Sequence, residues 1–161
     1  MLTWKSALCR ASVSGSLAAL LSGITLALCG KVENDAPAGA LNGPSQWIWG
    51  QHSAYRRSAS WRTVASYSIH HVVSIGWAAV HEKHVASLTQ GKPLAVRLIG
   101  AGITSAIACG VDYGVAKGRM QPGFDKQLTR PSLLLVYSAF ALGLALPSRS
   151  GGARRRAGIR R

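Results

Sequence analysis

The sequence predicts an all-α integral membrane protein, four transmembrane helices packed as one bundle. Three observations carry that expectation. The chain is 48% hydrophobic with mean hydropathy +0.16, too apolar for a soluble protein of net charge +14. The charged residues, only 15%, gather in connecting stretches and the tail. Between them run long segments with no charge or one, the partition a membrane chain makes. At 161 residues there is room for one domain, placed at residues 1–147, and an Arg-rich tail at 148–161.

The first apolar segment, residues 11–29, lies between Arg10 and Lys31 and reaches about 28 Å at the helical rise, enough to cross a bilayer. The rival reading is a cleaved signal peptide, because Lys5 and Arg10 make a basic start before an apolar core at 17–28. Cys29 raises a lipoprotein cleavage site, but Leu28 stands where a small residue is required. The small-x-small sites at residues 36–38 and 38–40 lie far from the apolar core. A retained helix is therefore expected.

Residues 31–61 turn to Pro, Gly, Ser, Asn and charge, an interfacial loop whose Trp47, Trp49, Tyr55 and Trp61 suit the headgroup layer. Gly43-Pro44 marks a turn, and Ser45 is placed to cap a short helix carrying Trp47, Ile48 and Trp49. The second span is 63–80, followed by His81-Glu82-Lys83-His84. The third is 98–116, opened by Arg97 and containing Asp112. The fourth, 132–146, is bracketed by Pro131 and Pro147 and reaches only about 22 Å. The tail, with six arginines, cannot build a core and is expected to be disordered, resting on anionic lipid headgroups.

With the amino terminus inside, eleven Lys and Arg residues fall on the cytoplasmic side and eight outside, which favours both termini in the cytoplasm of a bacterial inner membrane. Flanking charge of this kind holds topology and binds anionic lipid, so no nucleic-acid partner is needed to explain it. The three cysteines, Cys9, Cys29 and Cys109, make no paired or metal-binding spacing.

Small residues recur every fourth position on the third span, at Gly102, Ala106, Gly110, Gly114 and Gly118, and on the first at Gly15, Ala19, Gly23 and Ala27. In lipid, helices associate where small side chains let backbones approach. Both stripes are expected to be helix contacts, within one chain or between two copies or a membrane-protein partner.

On the second span Ser66, His70, Ser74, Trp77 and His81 share one face, which should turn inward because polar groups facing hydrocarbon lack partners. Counting depth along antiparallel spans sets Tyr67, His70, His71, Asp112 and Tyr137 in one polar layer in the outer half. Asp112 is its expected anchor, paired with a histidine, or with Lys117 or Arg119 folding back.

His81 and His84 share a helix face, but two ligands are not a metal site. The spacing is also not that of the zinc proteases, whose histidines stand at i and i+4. Four of the five histidines lie on one span or its end, which disfavours haem held between helices. No Ser/His/Asp set, phosphate-binding glycine loop or paired carboxylates occur, and no cofactor is expected.

The stretch from Tyr67 to Lys83, YSIHHVVSIGWAAVHEK, and the later VYSAFALGLA from Val136 resemble small multipass bacterial inner-membrane proteins of unassigned activity. The resemblance covers roughly residues 47–146; it implies location and fold and carries over no catalytic residue. Two functions follow as expectations: a structural or accessory membrane subunit, or a small transporter or channel component using His70, His71 and Asp112. A metal- or haem-dependent membrane enzyme is a weaker third.

Overall fold

In the computed structural model, which describes residues 2–147, the protein is all-α, with no strand among the described residues. The four long helices are α1 (Trp4–Asn34), α4 (Trp61–His81), α6 (Leu94–Gly110) and α7 (Arg130–Ala145). Short helices α2 (Pro37–Leu41) and α3 (Gln46–Trp49) lie between α1 and α4, and α5 (Ser87–Thr89) precedes α6. The tail expected to be disordered, 148–161, lies outside the described residues.

Each long helix extends past its apolar stretch. Thr3 caps α1 by accepting from the Ser6 backbone N–H, and α1 stops at Asp35, whose φ of 54° is left-handed. Ser60 and Thr63 form a reciprocal capping box on α4. Pro131 opens α7, where its missing N–H costs nothing. α4 and α6 both run on into wider π-type turns, Glu82–Ala86 and Val111–Val115. Two helical runs are long and apolar enough to cross a membrane, Trp4–Asn34 and Leu94–Val115. α7 has only 16 residues, and α4, at 21, is diluted by its serines and histidines.

α1 is the central post. It packs along α4 on one side and α7 on the other, while α6 lies on α7 and touches α4 lightly. α1 runs antiparallel to both neighbours: Gly15 meets Ile75 and Ala78 of α4 while Gly23 meets Tyr67, and Glu33 meets Ser132 of α7 while Ala18 meets Gly143.

The interfaces are made of small residues. Ala11, Ala18, Ala19, Ala78, Ala101 and Ala108 are buried. Leu26, Val136 and Leu144 are buried with them, but most large aliphatic side chains point outward: Val13 is 63% exposed, Val72 69%, Ile99 65% and Leu134 69%. That is the reverse of a water-soluble core, where the large aliphatic side chains are the ones buried.

The first stripe is a contact surface. A Cβ on Gly15 would stand 2.7 Å from the Ile75 Cα, and one on Gly23 2.8 Å from the Tyr67 ring. The stripe on the third span makes no helix–helix contact within the chain. Gly102, Gly110 and Gly114 face open space, Ala106 is exposed, and Gly118 lies in the following loop near Gln51. α6 reaches α7 and α4 through Ala101, Thr104, Ser105 and Ala108, the opposite side of the helix. The α1–α7 contact rests on Gly143, which no four-residue repeat marks: its Cβ would collide with the backbone of Leu17 and Ala18.

The stretch read as a loop, 31–61, is folded into a cap. Ser45 does precede α3, but its hydroxyl donates to Ser53 Oγ at 2.8 Å rather than capping the helix. Gln46, fully buried, donates to the Gln121 carbonyl at 2.5 Å and accepts from Lys126 Nζ at 2.5 Å. Trp47 Nε1 donates to the same carbonyl at 2.9 Å, and Gln127 donates to the Ala54 carbonyl at 3.0 Å. Arg119 donates to the carbonyls of Gln46, Trp47 and Ile48. The connections α1–α4 and α6–α7 therefore close one end of the bundle together. Arg62 covers the Trp49 and Trp61 rings, centroid distances 5.1 and 5.7 Å, beside this cap.

Glu33, beyond the apolar stretch of α1, ties the cap to α7 by accepting from Thr129 N–H at 2.8 Å, from Thr129 Oγ1 at 2.7 Å and from Ser132 Oγ. Desolvation pushes its pKa upward, but these hydrogen bonds outweigh it and hold the carboxyl below 4.5. Its folded pKa is depressed, so its contribution is present above the unfolded value and is lost as pH falls through the folded one. Thermal unfolding in detergent from pH 7 down through pH 4.5 should show a steeper acid loss for the wild type than for Glu33→Gln. Gly143→Val should destabilise by about 2 kcal/mol or more through overlap with α1. Gly110→Ala should stay within about 0.5 kcal/mol, both read by the same unfolding assay.

Candidate functional site

The polar residues of the bundle hydrogen-bond between helices. On α4, His70 Nε2 meets Ser22 Oγ of α1 at 2.9 Å, and His71 Nε2 meets Ser16 Oγ at 2.9 Å. The Ser22 hydroxyl also reaches the Ala18 carbonyl at 2.7 Å. His81 Nδ1 meets Thr104 Oγ1 of α6 at 2.9 Å, and Thr104 also reaches the Gly100 carbonyl at 3.2 Å. In the π-type turn after α4, Glu82 accepts from Ser14 of α1 at 2.9 Å.

Asp112 sits in the other π-type turn, at the end of α6. The wider turn swings its carboxylate toward α7, where Tyr137 Oη donates to Oδ2 at 2.5 Å. Ser105, two turns earlier, donates to the Tyr137 backbone carbonyl at 2.6 Å, so one residue of α7 is held twice by α6. The Tyr113 ring packs edge-on against Tyr137 at 6.4 Å.

The five residues expected in one layer are therefore sorted into two groups. His70, Asp112 and Tyr137 line one cavity of about 50 Å³ with Ser22, Ser74 and Trp47. That is room for a few waters, since about 10–15 Å³ holds one. Tyr67 lies beside them, its ring 6.0 Å from His70 and 5.9 Å from His71. His71 turns to Ser16 and is not among the residues lining the cavity.

The expected pairing of Asp112 with a histidine gives way to Tyr137. Among the described residues the sole ion pair is Lys31–Asp35. Arg119, the rival partner, is engaged by the carbonyls of the cap. The reason is geometric: both histidines take hydroxyls of α1, which packs on α4 far more closely than α6 does.

His81 and His84 part company. His81 is buried against Thr104, while His84 is exposed with its ring 6.0 Å from Trp4. No group of three or more His, Cys, Asp or Glu that could hold a metal occurs among the described residues. The hydroxyls of Ser14, Ser16, Ser22, Thr104 and Ser105 were not singled out by sequence reasoning. Their signal was available, since each is a hydroxyl inside a stretch otherwise composed of Ala, Gly, Leu and Ile.

Chemically, the cavity offers a carboxylate bonded to a phenol, an imidazole held by a hydroxyl, and space for water between helices. Asp112→Ala and Tyr137→Phe should each cost about 0.5–1.5 kcal/mol, the range of interhelical hydrogen bonds in membrane proteins. The double variant should lose less than the sum, since the two changes break one bond; chemical or thermal unfolding in detergent measures all three. Compared with family models, curated proteins and solved structures, the chain matches none.

Proposed function

We propose that the protein is a four-span bacterial inner-membrane protein with both termini in the cytoplasm, acting as a structural or accessory subunit rather than as an enzyme. The membrane part of this reading is supported by the outward-facing Val, Leu and Ile on all four long helices, α4 and α7 included. α4 falls short on hydropathy because of its serines and histidines, of which Ser66, Ser74 and His81 are buried inside the bundle, and α7 spans only about 24 Å, which local bilayer thinning or Leu146 beyond its end accommodates. The resemblance to small multipass inner-membrane proteins points the same way.

One observation carries the structural role. His70, His71, His81, Glu82 and Asp112 each bond to a hydroxyl on a neighbouring long helix, which fixes the register of one helix against the next. The outward face of Gly102, Ala106, Gly110 and Gly114 leaves α6 able to approach a second copy or another membrane helix.

Topology is tested by cysteine labelling in a background carrying Cys9→Ser, Cys29→Ser and Cys109→Ser. A membrane-impermeant maleimide should label the Ser58→Cys variant in intact spheroplasts and the Gln90→Cys variant only after lysis. The reverse pattern would invert the topology, and labelling of both in intact spheroplasts would remove the crossing by α4.

A second reading, a small transporter or channel component moving protons, ions or a polar solute, is favoured by the cavity between His70, Asp112 and Tyr137. Asp112→Asn separates the two, because the carboxamide oxygen still accepts from Tyr137 while the acid is gone. The structural role predicts near-normal abundance and no change in proton or cation flux into proteoliposomes. Altered flux at normal abundance would favour transport.

A further inference from the structure

At the opposite end of the bundle from the cap lies a second, larger cavity of about 320 Å³, formed where α1, the π-type turn after α4, α6 and α7 meet. Its polar lining comprises Arg10, His81, Glu82, Thr89, Gln90 and Arg97. The charges do not balance. Two guanidiniums face one carboxylate, and Glu82 is already engaged by Ser14. Among the described residues no ion pair joins Glu82 to either arginine.

Arg97 is the informative residue. Its Nε and Nη1 are both shut off from solvent and have no hydrogen-bond partner among the described residues. Two of its three nitrogens are thus desolvated without a partner, and buried cations are found with an anion opposite them. A guanidinium binds carboxylate or phosphate oxygens through paired N–H donors. The volume is that of a ligand pocket rather than a packing defect. Its rim is apolar: Val13, 63% exposed, with Leu144, Ala145 and Pro147.

We infer that this cavity binds a phosphate group, held between the guanidiniums of Arg97 and Arg10 that line it. A single negative charge satisfies the excess of cation over Glu82. Two sources share that chemistry, the phosphodiester of an anionic phospholipid, whose acyl chains would run over the apolar rim, and free inorganic phosphate. The lipid source rests on the membrane reading above; the phosphate site does not.

The test uses the full chain purified in detergent. Native mass spectrometry measures retention of phosphatidylglycerol against zwitterionic phosphatidylcholine, and thermal unfolding is followed with and without added inorganic phosphate. The variants are Arg97→Gln, Arg10→Gln, and Lys92→Gln as a charge-matched control in the same connection. Loss of one charge-assisted guanidinium contact should weaken binding about tenfold or more.

Selective retention of phosphatidylglycerol, reduced in Arg97→Gln and Arg10→Gln but not in Lys92→Gln, supports the site with lipid as its source. A phosphate-induced rise in unfolding temperature that disappears in the same two variants supports it with free phosphate as the source. If Arg97→Gln does not fold, Arg10→Gln with the wild type decides. Equal retention of both lipids by the wild type with no phosphate effect overturns the inference, as does equal weakening in all three variants. Labelling of both positions in intact spheroplasts would remove the crossing by α4, and with it the support for the lipid source, while leaving the phosphate arm standing.

Discussion

The arrangement depends on how closely α1 lets its neighbours approach. Gly15 and Gly23 admit α4 on one face, and the backbone at Leu17 and Ala18 meets Gly143 of α7 on another. Dispersion between backbones falls away within an ångström of separation, so a single added methyl at such a point removes many contacts at once. With α4 and α7 both fixed on α1, α6 need only lie against α7. The serine hydroxyls of α1 then come within reach of the histidines of α4 because the backbones are already close.

These polar contacts differ in character from the small-residue packing. Packing sets how near two helices come and leaves them free to slide by a turn; a hydroxyl opposite an imidazole does not. His70 with Ser22, Tyr137 with Asp112 and His81 with Thr104 each choose one register. In a low-dielectric setting a slipped register leaves both partners of each bond unsatisfied, which is the larger penalty. The cavity beside Asp112 is bounded by residues of all four long helices.

Much of this was legible in the sequence, and the exceptions have physical causes. Helix positions followed from charge-free stretches, and the small residues of the α1 stripe lie on the side other helices occupy. The same repeat on α6 meets no helix of this chain. Periodicity shows that a face exists, not what it meets, and α6 packs through Thr104 and Ser105 instead. Depth counting put Asp112 level with Tyr137, yet it could not see the π-type turn that aims the carboxylate at α7. The residues that build the cap, Asn42, Gln46 and Gln127, carry no pattern at all. Their burial is set by partners distant along the chain, such as the Asn34 amide on the Gln127 carbonyl at 2.5 Å and the Thr63 hydroxyl on Asn42 at 2.7 Å.

The cap also gives the molecule a mechanical polarity. Its two connections are laced to each other by the carbonyl bonds of Arg119 and the side chains of Gln46 and Gln127. The far end has one connection, through α5, and an open cavity. A bundle fastened at one end behaves as a set of levers with a common fulcrum. α1, 31 residues long, makes an arm of about 46 Å. A rotation of a degree or two at the cap then displaces the free end by about an ångström, so the width of the cleft beside Arg97 follows the tilt of the helices that line it.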